Sequence, residues 1–537
     1  MEFTLFSPDI FTELPFLLLY TEMHFRFRLT GSRYFKPEPE ILADIPHRIN
    51  LNTSIPLMLL VKDADRYPIF LENIHIRIRN ENGLNREDVI EFNQHITDHF
   101  WSESLEISRD GLNQSLFIEV LFNYEVNGMK KSCINHNLAL LPSSPMEVYL
   151  NRAPMPGEGK IYWGDLHYHS QLTEDMVEFG APLRQTVAAG KSLGLSFFCP
   201  TDHSYDLDDL PGSWIISDPD LQKWNHSRRE IERINESHPS CLVIPSEEVT
   251  VRNSHGRNIH VLVLNAPDFI PGSGDGAEHP FQTRSEHSIR SLSGAISASS
   301  MMIAAHPFTP TPFFQWFVIN RGKWEKEDCL QTHISGFQIM NGSHDAGFVR
   351  GREIWLKFLK AGYRKFIYAG NDAHGNFNRF RQIHLPMVSL WEKRAQIFGE
   401  WKTGVFATEH SVIKIIEGLR AGQCIISDGP FISFHISAGG YTFLPGQICA
   451  FQNFTLNITG ESSLDYGKIL WIKIFKGKLG ENENCIKLIR PEKSVLKVEH
   501  QGIKAEYSPC YFRVELETEG LEKNHFAMTN PIWVEPK

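Results

Sequence analysis

The sequence predicts an α/β fold: a mostly parallel β/α sheet or TIM-like barrel set between two β-rich regions. Two observations predict it. Between about residues 160 and 430, short apolar runs (IYWGDLHYH, SFFCPTDH, CLVIPSEEV, NIHVLVL, MMIAAHP, FQIMNG, KFIYAGNDAH) alternate with helix-like stretches, which is the texture of βα units. On either side of that region, apolar and polar residues alternate with the two-residue period of half-buried strands.

A chain of 537 residues is too long for one core, so several domains are expected. In the first region, NIHIRIRN places Ile74, Ile76 and Ile78 on one strand face. The segment LPSSPMEVYLNRAPMPGEGK, with four prolines and a closing Gly-Glu-Gly-Lys, is domain-border punctuation. The β-rich N-terminal domain is therefore placed at 1–155 and the barrel at 156–430. Within the barrel region LRQTVAAGKSLGL, LQKWNHSRREIERI, REIWLKFLKAGY and EHSVIKIIEGLRAG read as helices, three of them stopping at or near glycine. After 430, ILWIKIFKGK and YFRVELETEG restore the strand alternation, and a C-terminal β-sandwich is expected over 431–537.

Two glycine-bearing stretches are set aside. Gly190-Lys191-Ser192 resembles the end of a phosphate loop, but Gln185 stands where its first glycine is required and the triplet falls inside a helical pattern. PGSGDGAEHP, with Gly272, Gly274 and Gly276, lacks the strand and helix of a dinucleotide site and reads as a surface loop or lid.

Composition narrows the partners. A formal net charge of -11 opposes a protein that neutralises nucleic-acid phosphates, so a small-molecule substrate is expected and nucleic acid is not. The eight cysteines form no CxxC pair and read as free thiols in a reducing compartment. Asp9, Glu13 and Glu22 flank the apolar N-terminal patch and no basic segment precedes it. No uncharged apolar run reaches membrane-spanning length either, so neither a secretion signal nor a membrane span is expected. A cytoplasmic protein of open oligomeric state is the expectation.

The chemistry sits in GDLHYHSQLTED. With 24 histidines in the chain, about one HxH arises by chance, so His167 and His169 alone decide little. On a strand, however, they share a face. The other apolar runs also end in ligand-type residues: Asp202 and His203, Glu247 and Glu248, His306, then Asp372 and His374. Strand ends converge at one mouth of a β/α barrel, which would gather these residues. His95 and His99 lack a supporting pattern and read as surface residues, while His344 and His384 lie in the region but outside the motifs.

In that order, GDLHYHS, PTDHS, SEEVT, AAHPF and GNDAHG resemble the five motifs of the PHP (polymerase and histidinol phosphatase) superfamily of metal-dependent phosphoesterases. With Asn341-Gly342 and GLRAGQCIISDGP following, the arrangement is similar to the CehA/McbA-like branch. The resemblance covers about residues 160 to 430 and implies a PHP-like distorted barrel. It implies metal ligands at His167, His169, His203, Glu248, His306, Asp372 and His374. A further acid is implied at Glu174 or Asp175, and a further histidine at His255 or His260, with His260 on the strand NIHVLVL preferred.

Imidazole mixed with carboxylate suits zinc, manganese or iron, and so many ligands imply two or three ions. The expected chemistry is hydrolysis, most simply of a phosphoric ester, by a hydroxide bound to that cluster. Asp202 is expected to orient a ligand histidine, making Asp202 and His203 the catalytic candidates. Two rivals stand beside this: hydrolysis of a non-phosphate ester, amide or carbamate at the same site, and a non-catalytic protein whose β domains recognise glycan or protein. Specificity is expected in the loops at 206–219, 266–287 and 308–317.

Overall fold

The computed structural model describes residues 38–535 except 84, 113–114, 139–142, 174–179, 212–215, 275–282, 312–315, 318, 385–388, 394–395, 492–494, 505–508 and 521, and except the side chains of 380–384, 389–393 and 500–504. The N-terminal patch, Glu174 and Asp175, Gly276 and the His384 side chain lie outside the described residues.

The N-terminal region is two β-sheets sharing one core. Glu40–Asp44, Ile55–Lys62 and Phe100–Ile107 form one sheet; Arg48–Ile49, Met146–Leu150, Ser115–Val126, Ile69–Arg79 and Asn85–Ile96 form the other in that order, with Met129–Ile134 paired to Ser115–Val126. Period-two alternation drives the packing. Ile74, Ile76 and Ile78 turn inward opposite Phe122, Val120 and Ile118 and meet Leu57, Leu59 and Val61 of the facing sheet in one core. The hairpin to Met129–Ile134 closes on Asn127-Gly128, both at positive φ (51° and 74°), as a two-residue primed turn requires.

In the central region the expected β/α barrel does not form. The chain is mostly β, 43% strand against 15% helix, and its sheets stay separate. One sheet runs Leu242–Val243, Phe197–Pro200, Tyr162–His169, Lys402–Val405, Cys424–Ser427. The other runs Ser246–Arg252, Asn258–Leu264, Met301–Ala304, Ile334–Asn341, Phe366–Gly370. Their edges touch through an isolated bridge, His203 to Glu248, and through the Asp372 N–H donated to the His167 carbonyl at 2.8 Å.

Chain length between strands explains much of the departure. Only residues 253–257 join Ser246–Arg252 to Asn258–Leu264, which pair antiparallel; a parallel crossover takes about a dozen residues or more. A helix between strands does not ensure a crossover either. Val412–Arg420 separates Lys402–Val405 from Cys424–Ser427, yet these also pair antiparallel. The helices themselves occupy the stretches read for them, at Leu183–Ser192, Gln222–Ser237, Ala346–Lys360 and Val412–Arg420, and the first contains the Gly190-Lys191-Ser192 triplet.

Past Pro430 one further sheet, Tyr441–Phe443, Phe431–Ala438, Thr455–Glu461 and Lys497–Lys504, and an extension of the first central sheet enclose a core. Ile432, Phe434, Ile436, Leu456 and Ile458 face Ile472, Ile474, Phe512, Val514 and Leu516. Hydrogen bonding crosses the border at 430, because Cys424–Ser427 pairs with Asn524–Thr529, which continues into Cys510–Glu519, Lys468–Gly477 and Asn484–Ile489. Among the described residues no disulfide is formed by the eight cysteines. Among the described residues no helix is long and apolar enough to cross a membrane.

Candidate metal centre

Eight of the sequence-selected residues meet where the two central sheets touch. Tyr162–His169 is a strand, so His167 and His169 lie on one face, with ring nitrogens Nε2 3.1 Å apart. Strand alternation also sorts the acid pair. Glu248 faces the histidines, while Glu247 turns away to accept from the Trp224 indole N–H at 2.8 Å and to pair with Arg228 at 3.3 Å.

Glu248 uses both oxygens. Its Oε2 lies 3.2, 3.3 and 3.3 Å from His167 Nε2, His169 Nε2 and His203 Nδ1. Its Oε1 lies 2.8 Å from His260 Nδ1 and 3.3 Å from His306 Nε2. Asp372 Oδ1 completes the inner group at 3.2 Å from His167 and 3.3 Å from His169. Parallel pairing of His169 with His374 stacks their rings at 4.1 Å.

Three overlapping donor sets result: His169, His203, His374; His167, His169, Glu248, Asp372; and His203, Glu248, His260. The donor separations of 3.1–3.3 Å in the second set match the edge, about 3.3 Å, of a tetrahedron with metal–nitrogen bonds of about 2.0–2.1 Å.

Neighbouring hydrogen bonds fix the ring tautomers. The Gln338 carboxamide oxygen faces His167 Nδ1 at 2.8 Å and also accepts the His306 N–H at 3.4 Å, so it is the acceptor and His167 carries its proton on Nδ1. The single hydroxyl proton of Thr173 goes to Asp202 at 2.9 Å, so Thr173 accepts from His169 Nδ1 at 3.2 Å. In their neutral forms both rings then turn an Nε2 lone pair towards each other and towards two carboxylate oxygens, a cluster that either a proton or a metal ion completes. His203 Nδ1 is likewise buried with no hydrogen-bond partner. The donor set fits a metal of borderline softness.

The electrostatics agree. Burial alone would lower His167, but the carboxylates of Asp372 and Glu248 carry it up to about 9. Burial would raise Glu248 and Asp372, and the surrounding histidines hold both well below the ordinary carboxylate range. Burial, reinforced by His169, holds His203 well below its usual value. The pocket thus favours negative oxygens on Glu248 and Asp372 and a compensating positive charge, carried by the His167 ring or by a bound ion, while His203 stays neutral.

No family model matches this chain, and no curated protein matches it. Among solved structures, a putative β-galactosidase from Bacteroides fragilis aligns over 94% of this chain and 74% of its own, at 7% identity and a TM-score of 0.19. A cycloisomaltooligosaccharide glucanotransferase of Paenibacillus sp., complexed with cycloisomaltoheptaose, aligns over 92% and 71%, at 9% identity and a TM-score of 0.16. Scores this low describe no shared fold, so the site is interpreted from its own geometry.

One expectation needs correction. His255 does not approach the cluster: it sits on an exposed turn with its ring 3.6 Å from Glu325, because the hairpin 253–257 carries it past the strand end that holds His260. Asp202 is placed against a different candidate ligand from its neighbour His203: it accepts the Ser170 N–H at 2.7 Å, the Ser170 hydroxyl at 2.8 Å and the Thr173 hydroxyl, and so acts on His169 through Thr173. His344 is placed elsewhere, against Phe348 and Trp401 at the junction of the three regions. His99 meets Asp63 and Asp65 on the N-terminal sheet's surface.

Several supporting residues carried no motif. Gln338 donates to Asn341 at 2.8 Å and Asn341 donates to Asp372 at 3.1 Å, closing a ring of contacts from His167 through Gln338 and Asn341 to Asp372. Asp165 is fully buried, where desolvation lifts its carboxyl to about 6 even though the amide of Asn371 and the backbone N–H groups of Gly399, His167 and Asn371 all donate to it. It anchors the turn that presents Asp372, which sits at φ 54°, as His306 sits at φ 28°. Non-glycine residues at such angles cost about 1–3 kcal/mol and persist only when their surroundings fix them. Gly370 is required for the same approach: an added Cβ would lie 2.7 Å from the His167 Cβ. The one sequence-level signal for Gln338 was a polar residue inside the apolar run FQIMNG.

Proposed function

We propose that this chain is a metal-dependent hydrolase whose leading substrate is a phosphoric ester, as its resemblance to the PHP motifs implies, though without the barrel. The observation that carries the reading is the convergence of two histidine Nε2 atoms, 3.1 Å apart, with two carboxylate oxygens 3.2–3.3 Å from them, each ring's Nδ1 being turned outward to a side-chain oxygen. Divalent ions bound there would supply Lewis acidity and lower the pKa of bound water.

The chain's own residues set the direction of approach. The His167 and His169 side chains are 0% exposed, whereas His306 and Asp372 are each 16% exposed and line a small pocket with Arg321 and Lys323. Substrate therefore enters on the His306 side. The Arg321 guanidinium lies against His260, Nη1 2.5 Å from Nε2. Its Nη2 lies 3.1 Å from His260 Nδ1, the nitrogen that also faces a Glu248 oxygen at 2.8 Å. A fixed cation thus already stands beside the His203–Glu248–His260 set, which favours two ions over three. The same guanidinium offers permanent positive charge to an anionic ester.

The test is elemental analysis of the purified protein, with a panel of p-nitrophenyl phosphate, bis(p-nitrophenyl) phosphate and a naphthyl carbamate. About two divalent ions per chain and preference for a phosphate are expected, with both ions and turnover lost in H167A/H169A. Undiminished turnover in that variant would overturn the hydrolase reading. Preference for the carbamate would overturn the choice of bond.

A further inference from the structure

We propose that the substrate is an elongated ester carrying a second anionic group on a flat apolar body, held in a basic, tryptophan-lined groove that opens off the candidate metal centre. This rests on the hydrolase reading and names its substrate class. The groove is a cavity of about 1030 Å³. It borders the pocket of about 210 Å³ that touches His260, His306 and Asp372, with which it shares the lining residues Pro307, Thr309, Thr311, Lys323 and Trp324. A ligand-sized cavity beside the reactive end is where the non-reacting part of a substrate lies.

The charge of the groove opposes that of the chain. The protein carries a net charge of -11, yet Arg257, Lys323, Lys326, Arg350 and Lys357 line this cavity with one carboxylate, Glu325, which is already engaged by His255 at 3.6 Å and Lys323 at 3.7 Å. One helix face supplies part of it. Along Ala346–Lys360, Arg350, Ile354, Lys357 and Phe358 recur at the spacing that puts residues on one side of a helix, so cations and apolar side chains alternate along the wall.

The apolar wall is aromatic. Trp316 is 42% exposed with the Arg257 guanidinium 4.3 Å above its ring. Trp324 borders both cavities, and its buried indole N–H has no hydrogen-bond partner. An unpaired buried donor beside a basic groove fits an oxygen-rich anionic ligand. A compact monoanionic ester would leave the whole groove unused.

A matched pair tests this: 2-naphthyl phosphate, and the same ester bearing a 6-sulfonate. The sulfonated ester should have a KM lower by about tenfold, the scale of one or two partly exposed ion contacts, and the advantage should shrink in high salt. In R350E/K357E the KM ratio of the two esters should collapse to about one. Equal KM values in the wild-type protein, or a ratio unchanged in the variant, would overturn the proposal. If neither ester is hydrolysed, the choice of a phosphoric ester fails by itself. The groove is then decided by tryptophan quenching with 2-naphthol-6-sulfonate: saturable quenching abolished in R350E/K357E supports it, and quenching that is absent or unaffected overturns it.

Discussion

Among the described residues, two of the buried clusters of ionisable groups are built on opposite principles. At the junction of the three regions, every carboxylate meets a donor. Glu400 faces His47 at 3.0 Å and also pairs with Lys523, while Asp428 accepts from His525 at 3.0 Å, from the Phe526 N–H at 2.7 Å and from Lys523 at 3.2 Å. Glu515 likewise sits between Arg352 at 2.6 Å and Arg513 at 2.5 Å. At the candidate metal centre, ring nitrogens and carboxylate oxygens converge on one point. On the proposed function the contrast separates a cluster that completes itself from one that an ion supplied from outside completes, and neither burial nor charge count draws that distinction.

The contrast can be broken most directly at its centre. H167A/H169A should reduce turnover to below about 1% of wild type and remove bound metal, while thermal stability measured in chelator changes little. If that variant instead unfolds with its metal content intact, the cluster is structural and the distinction fails. The mirror experiment is D428A, which leaves His525, Lys523 and a backbone N–H without their acceptor. A loss of about 3 kcal/mol in denaturant unfolding is expected, with metal content unchanged.

Smaller changes sharpen the comparison. Q338L removes the acceptor that holds His167 in its Nδ1–H form, and metal affinity by competition titration should fall about 10- to 100-fold. T173V, which cuts the link from Asp202 to His169, belongs at the lower end of that range. The acid limb of stability provides the last test. The Asp428 carboxyl is held below its ordinary value by His525 and Lys523 against the opposing effect of burial. Its contribution is therefore complete above the unfolded value, about 3.9, and is lost as pH falls through the depressed one. Wild type should lose more stability than D428A between about pH 5 and pH 2; parallel curves would show that Asp428 is not a major part of the acid transition.

Much of the site was legible in the sequence because strands are locally periodic. Spacing of two put His167 and His169 on one face, and the same alternation distinguishes Glu248 from Glu247. The position of His260 within NIHVLVL, rather than in the turn of His255, favoured it. The direction of strand pairing was not legible, since apolar runs alternating with helices look alike whether the next strand returns parallel or antiparallel. The five-residue link at 253–257 was the available warning. Gln338, Thr173 and Arg321 were invisible because single polar residues announce nothing until the fold brings them to a partner.

The sequence by itself determined the inventory and order of the donors and which face of each strand would carry them. The tertiary structure alone decided which nitrogen of each ring faces inward, how Asp202 reaches His169, and that the strands lie in two touching sheets rather than a closed barrel. The reason is distance along the chain. A two-residue period is set by neighbouring peptide units, whereas the contact fixing the His167 tautomer spans 171 residues and the one joining His167 to Glu248 spans 81, so only the assembled sheets specify them.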